Sequence, residues 1–197
     1  MPRQWRRTNP LALAVLASLA EKPMHPYEVA QTLKFRAKHE SIKLNYGSLY
    51  TVVEALERSG LIEARETVRE GKRPERTIYA ITDRGLREMT DWLGDLVSEP
   101  SEEYPDFVAA LSLIGALPPD DALALLKQRA ERLSFMVAAK RAQQKAALDE
   151  GLPRLFMIED EFRESLLAAE LDFVQRLVKD IESEELDVSL WRSFHTD

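Results

Sequence analysis

Cysteine is absent from the 197 residues. That excludes disulfide frameworks, thiolate metal sites and cysteine nucleophiles, and it fits a reducing cytoplasm. Histidine is scarce: His25, His39 and His195 are too few and too scattered for a metal site, and His39-Glu40 is the only neighbouring His-carboxylate pair. Long apolar runs are missing as well. The longest, Leu11 to Leu19, is broken by Ser18 and falls short of the roughly 18 residues that a membrane span needs. It follows Arg3, Arg6 and Arg7, as a secretory signal would, yet it is Ala-rich, opens on Asn9-Pro10 and leads into Glu21-Lys22-Pro23 rather than a small-residue cleavage site. The expectation is a mature helix in a cytoplasmic protein with no membrane partner. No Gly-rich loop cradles a phosphate, no serine is matched with a His base, and the carboxylate pairs Glu102-Glu103 and Glu184-Glu185 sit on polar stretches. Neither enzymatic function nor a cofactor is expected.

What is present is an ordinary apolar content of 45% and a net charge of −7 that is divided unevenly along the chain. Residues 1–97 hold 16 Lys and Arg against 13 Asp and Glu, whereas residues 98–197 hold 11 against 21. Nucleic-acid binding depends on a local basic face that displaces counterions from phosphates, so a mildly basic half beside an acidic one is compatible with it.

Hydrophobic periodicity organises the first half. Asn9 is placed to cap a helix from Pro10 to about Ala20 that is apolar nearly all round and so buried. Pro26, Val29, Ala30 and Leu33 mark one face of a second helix, ending near Arg36. Leu49, Val52, Val53 and Leu56 mark a third, capped by Asn45 and stopped by Gly60. Two β-favouring segments, 61–68 and 76–81, flank the charged stretch 69–75, which predicts a hairpin with a basic tip. A helix opening at Thr82-Asp83 follows, with Leu86, Met89, Leu93 and Leu96 as its apolar face. Helix, helix, helix, hairpin, helix is the winged-helix order.

The polar segment 98–105, with two prolines, divides the chain into a winged helix-turn-helix domain over 1–97 and a helical domain over 106–197. The second domain reads as helices over about 106–117, 120–148 and 153–183. The last carries a stripe of Leu155, Ile158, Phe162, Leu166, Ala169, Phe173, Leu177 and Ile181. Three helices offer little core of their own, so a second copy of the chain is the simplest cover for this stripe. The fold class expected is mainly α with a small β-hairpin wing, a DNA-binding domain joined to a dimerisation domain.

In a helix-turn-helix the second helix of the motif enters the major groove and presents its first outward side chains to bases and phosphates. With Leu49 and Val52 turned inward, Asn45, Tyr46, Gly47, Ser48, Tyr50 and Thr51 are the candidate contacts, and Gly47 would let the backbone approach a phosphate. Lys72, Arg73, Pro74 and Arg76 at the hairpin form a second candidate set, suited to the backbone or an adjacent minor groove. Lys43 and Arg58 extend the footprint. A winged helix that serves only protein assembly, and never reads DNA, is the alternative; it has no need of basic residues at the wing tip.

These motifs together resemble the winged-helix signature of PadR-type transcriptional regulators: Tyr46-Gly-Ser-Leu-Tyr50, Leu56-Glu-Arg-Ser-Gly-Leu-Ile62, Gly71-Lys-Arg-Pro-Glu-Arg76 and Tyr79-Ala-Ile-Thr-Asp-Arg-Gly85. Leu16 to Tyr27 is similar to the family's opening helices, with Pro26 standing where such sequences commonly carry Gly. The remainder is similar to the longer subtype, whose C-terminal domain resembles that of virulence-activator relatives. The resemblance implies a homodimer on pseudo-palindromic double-stranded operator DNA, usually a repressor, often released by a small aromatic effector. Trp5, Trp92 and Trp191 are the aromatic surfaces available to such a ligand, and Trp92, on the helix leading into the second domain, is the candidate effector contact.

Overall fold

The computed structural model describes residues 7–68 and 76–195. Its contacts divide the chain into two compact units, Met1–Glu102 and Glu103–Asp197.

The first unit comprises α1 (Pro10–Glu21), α2 (Pro26–Phe35), α3 (Tyr46–Arg58), β1 (Ile62–Val68), β2 (Arg76–Ile81) and α4 (Asp83–Ser98), with a 3-10 turn at Lys38–Glu40. Asn9 starts α1 as the sequence suggests: its side-chain oxygen accepts from Leu11 N, and Pro10 occupies the first helical position. Leu11, Val15, Leu16 and Leu19 of α1 then meet Val29 and Leu33 of α2, Leu49, Val53 and Leu56 of α3, and Leu61 and Ile62 in one core. The strands pair antiparallel, with an irregularity between Ala64 and Glu66. A third edge comes from Met24, whose N–H donates to the Tyr79 carbonyl at 3.0 Å while Tyr79 N–H donates back to Met24 O at 3.0 Å.

Helix α4 departs from expectation. Of its expected apolar stripe only Met89 packs against the core: Leu86, Leu93 and Leu96 are exposed, and the residues it buries are Gly85 and Trp92. Trp92 has the largest side chain on the helix, so covering it removes the most apolar surface from water, and the packing follows the face it defines.

The second unit holds α5 (Asp106–Ser112), α6 (Pro119–Asp149), α7 (Ile158–Glu182) and α8 (Val188–Ser193), with 3-10 turns at Ile114–Ala116 and Arg154–Phe156. Helices α6 and α7 lie antiparallel: Lys127 pairs with Glu182, Arg129 with Glu170 and Arg141 with Glu164, one number rising as the other falls. Between them sit Leu126, Leu133, Val174 and Ile181. The short α8 was not foreseen. It closes the end of the pair with Val188 and Trp191, and the Trp191 indole N–H donates to the Leu117 carbonyl at 2.8 Å.

Candidate nucleic-acid interface

Helix α3 begins where it does because Asn45 holds extended backbone angles and its Oδ1 accepts from Gly47 N at 2.9 Å. That phase sends Leu49, Val52, Val53 and Leu56 into the core and leaves Tyr46, Gly47, Ser48, Tyr50 and Thr51 exposed, with Lys43 and Asn45 exposed just before them. Two of these side chains have structural work on their own helix. Asn45 spends its oxygen on the cap, and the Thr51 hydroxyl donates to the Gly47 carbonyl at 3.1 Å. A hydroxyl whose proton is committed to its own backbone has none left for a phosphate oxygen. Tyr46, Ser48 and Tyr50 are therefore the hydroxyls with a proton to offer.

Tyr46 does not stand alone. Its ring stacks on Tyr27 with centroids 6.3 Å apart and planes 17° from parallel. Gln31 Nε2 and Lys34 Nζ each donate to its hydroxyl oxygen at 3.2 Å. Sequence reasoning missed these three α2 residues, although the signal was there: positions 27, 31 and 34 share one helix face, beside the one that buries Val29, Ala30 and Leu33.

The start of α2 is set by a reciprocal cap. His25 Nδ1 accepts from Tyr27 N at 3.1 Å, and the Glu28 carboxylate accepts from His25 N–H at 3.1 Å. Burial holds the His25 imidazole below its ordinary pKa; the Arg76 charge adds to this and Glu28 opposes it. Arg76, at the first position of β2, is exposed. The other wing candidates, Lys72, Arg73 and Pro74, lie outside the described residues, as does Trp5.

The base of the wing is fixed where α3, β1 and α4 meet. The Thr82 hydroxyl lies 2.9 Å from the Gly60 carbonyl and 3.1 Å from that of Leu61, and its oxygen accepts from Gly85 N at 3.0 Å. The Arg84 guanidinium donates to the Ser59 carbonyl at 2.9 Å. Tyr79 lies 3.3 Å from a Glu57 carboxylate oxygen, and its phenol is pushed above its usual pKa by burial first and by that carboxylate second.

Trp92 is 3% exposed in the core of the first unit, so neither ring face is open to a ligand. In the second unit a cavity of about 590 Å³ opens between α5 and the α6–α7 pair, lined by Phe107, Ile114, Leu126, Leu133 and Leu167. On its wall the Arg129 guanidinium lies 3.6 Å from the Phe107 ring centre. Among the described residues no cluster of His, Cys, Asp and Glu could hold a metal ion, and no helix is long and apolar enough to cross a membrane.

Three helices, a hairpin wing and an exposed, capped third helix define a winged helix-turn-helix protein. The family model for the transcriptional regulator PadR-like family matches residues 15–91. That match spans the winged helix, from α1 into α4. Among solved structures, Bacillus subtilis PadR in complex with operator DNA is 18% identical, with a TM-score of 0.58, over 93% of this chain and 99% of that one. The same protein in complex with p-coumaric acid gives 18% and 0.59, over 92% and 98%. The Vibrio cholerae virulence activator AphA gives 15% and 0.51, over 88% and 94%. At these identities the likeness is one of fold, and it extends through both units. No match was found among curated proteins.

Proposed function

We propose that this chain is a cytoplasmic transcriptional regulator of the PadR type that binds operator DNA as a homodimer, usually to repress, and that a small aromatic effector alters its grip. The observation that carries this reading is the α3 face: a capped helix whose inward positions are all apolar and whose first outward positions are Tyr46, Ser48 and Tyr50, in a domain matched to a family of transcriptional regulators. Arg76, paired with Val68 at the far end of the described strands, supports it, and the sequence places Lys72 and Arg73 beyond. The protein-assembly alternative accounts for none of these.

The dimer is supported by α7. Leu155, in the 3-10 turn just before it, and Ile158, Phe162, Leu166 and Phe173 along it are all exposed in the single chain, an apolar stripe that a second copy would cover. For an effector, Trp92 offers no open face. The cavity of the second unit supplies apolar walls, an aromatic ring and a guanidinium, a combination suited to a flat, weakly polar molecule.

The test is a gel shift with the DNA upstream of the protein's own coding sequence, at two salt concentrations and with unrelated DNA as competitor. Specific binding that weakens with salt is expected. No binding to this or any genomic fragment at low salt would turn the reading toward an assembly module.

A further inference from the structure

On the DNA-binding reading, the Tyr46 hydroxyl is held in one hydrogen-bonding role. A tyrosine hydroxyl has one proton to give and two lone pairs to receive. Lys34 can only donate, and its Nζ is 3.2 Å from this oxygen; Gln31 Nε2 donates from the same distance. Both acceptor positions are filled, and the remaining capacity of the group is its own O–H proton. The Tyr27 ring limits where the Tyr46 ring can swing, and Tyr46 remains 38% exposed, so that proton is accessible from solvent. The Lys34 ammonium, 4.7 Å from the Tyr46 ring centre, makes the surroundings of the hydroxyl electropositive.

We propose that Tyr27, Gln31 and Lys34 hold the Tyr46 hydroxyl as an obligate proton donor to an anionic oxygen, a DNA backbone phosphate at the start of the recognition helix. Phosphate oxygens accept and never donate, so a hydroxyl free to turn would lose part of its contact to water; this one is set in advance. Tyr46 is the contact. Gln31 and Lys34 are positioning residues that act through it, and their sequence separation from α3 explains why a reading confined to the recognition helix overlooks them.

The test uses the full-length protein and fluorescence anisotropy on two duplexes: one enriched by the wild-type protein from a random library, and a scrambled control. Tyr46→Phe and Lys34→Met are each expected to weaken binding to both duplexes by about tenfold. The double variant should be no weaker than the worse single one, because both changes remove the same contact. Lys34→Arg should restore most of the loss, and thermal midpoints should stay at the wild-type value, as expected for exposed positions. Additive losses, or unchanged binding by Tyr46→Phe, would overturn the proposal. A loss confined to the enriched duplex would overturn the phosphate assignment in favour of a base-edge acceptor. Failure of the wild-type protein to bind any duplex would instead overturn the DNA-binding reading itself.

Discussion

Gly85 in the first turn of α4 lies so close to Leu61 that a Cβ built on it would fall 1.9 Å from the Leu61 carbonyl oxygen. That oxygen also accepts from Thr82 N–H at 3.1 Å, so it cannot retreat without breaking the junction between the wing and the helix. The glycine is required by close approach of two backbones, not by an unusual dihedral angle.

Gly85→Ala should therefore destabilise the first unit by about 3 kcal/mol or more, read as a fall in the urea midpoint. Gly94 on the same helix has nothing within 4 Å of such a Cβ. Gly94→Ala should stabilise by about 0.5–1 kcal/mol, which separates a packing effect from helix propensity. Equal effects at the two sites would refute the close-approach argument.

Acid should loosen the first unit through His25. Its folded pKa is depressed, chiefly by burial, and its Nδ1 must stay unprotonated to receive Tyr27 N–H. The unfolded chain thus binds this proton more readily than the folded one, and stability rises with pH through the window. The contribution is fully present above the unfolded value of about 6.5 and is lost as pH falls through the lower folded value. Between pH 7.5 and pH 5 the wild-type protein should lose more stability than His25→Asn, which keeps a capping oxygen that does not titrate in this range. Parallel losses in the two proteins would remove His25 from the account.

The wing is the proposed electrostatic arm of the contact. Arg73→Ala and Arg76→Ala should each weaken operator binding by about 1–2 kcal/mol and lower the slope of log affinity against log salt by about one. Unchanged slopes for both would remove the wing from the interface. Within α3, Thr51→Val should leave affinity nearly unchanged, since the Thr51 hydroxyl already serves Gly47, whereas Ser48→Ala should reduce it.

Phe162 is 64% exposed in the single chain, so Phe162→Glu should leave each unit folded while disfavouring a paired assembly. Sedimentation should show a shift from dimer to monomer, with circular dichroism unchanged and operator affinity sharply reduced. A stable dimer in this variant would place the interface elsewhere.

Much of the first unit was legible because its signals are local. Asn9 and Asn45 cap the helices they precede, and the 3.6-residue repeat over Leu49 to Leu56 set the phase of α3 and hence its outward face. What escaped depends on partners distant in sequence. The Met24–Tyr79 bridge joins positions 55 residues apart, and nothing around Met24 alone spells a strand. On α4 the apolar count favoured Leu86, Leu93 and Leu96, but burial of one indole outweighed several leucines and turned the helix. The same periodicity marks the stripe that the sequence leaves for a second copy to cover, and in the single chain only Ile181 of it is buried; which α7 residues meet α6, Val174 and its neighbours, depends on a partner helix that the repeat does not name. In the candidate site, Thr51 faces outward as a contact would, and its proton returns to the Gly47 carbonyl four residues back.

The uncovered row on α7 has a consequence for control in the cell. On the proposed dimeric reading, a chain that must find its twin before it can span two half-sites would link promoter occupancy to the square of its own abundance at low concentration. Modest changes in synthesis or dilution at division would then move occupancy across a sharp threshold. Sensitivity to dose would thus be built into a row of exposed phenylalanines and leucines, independent of any effector.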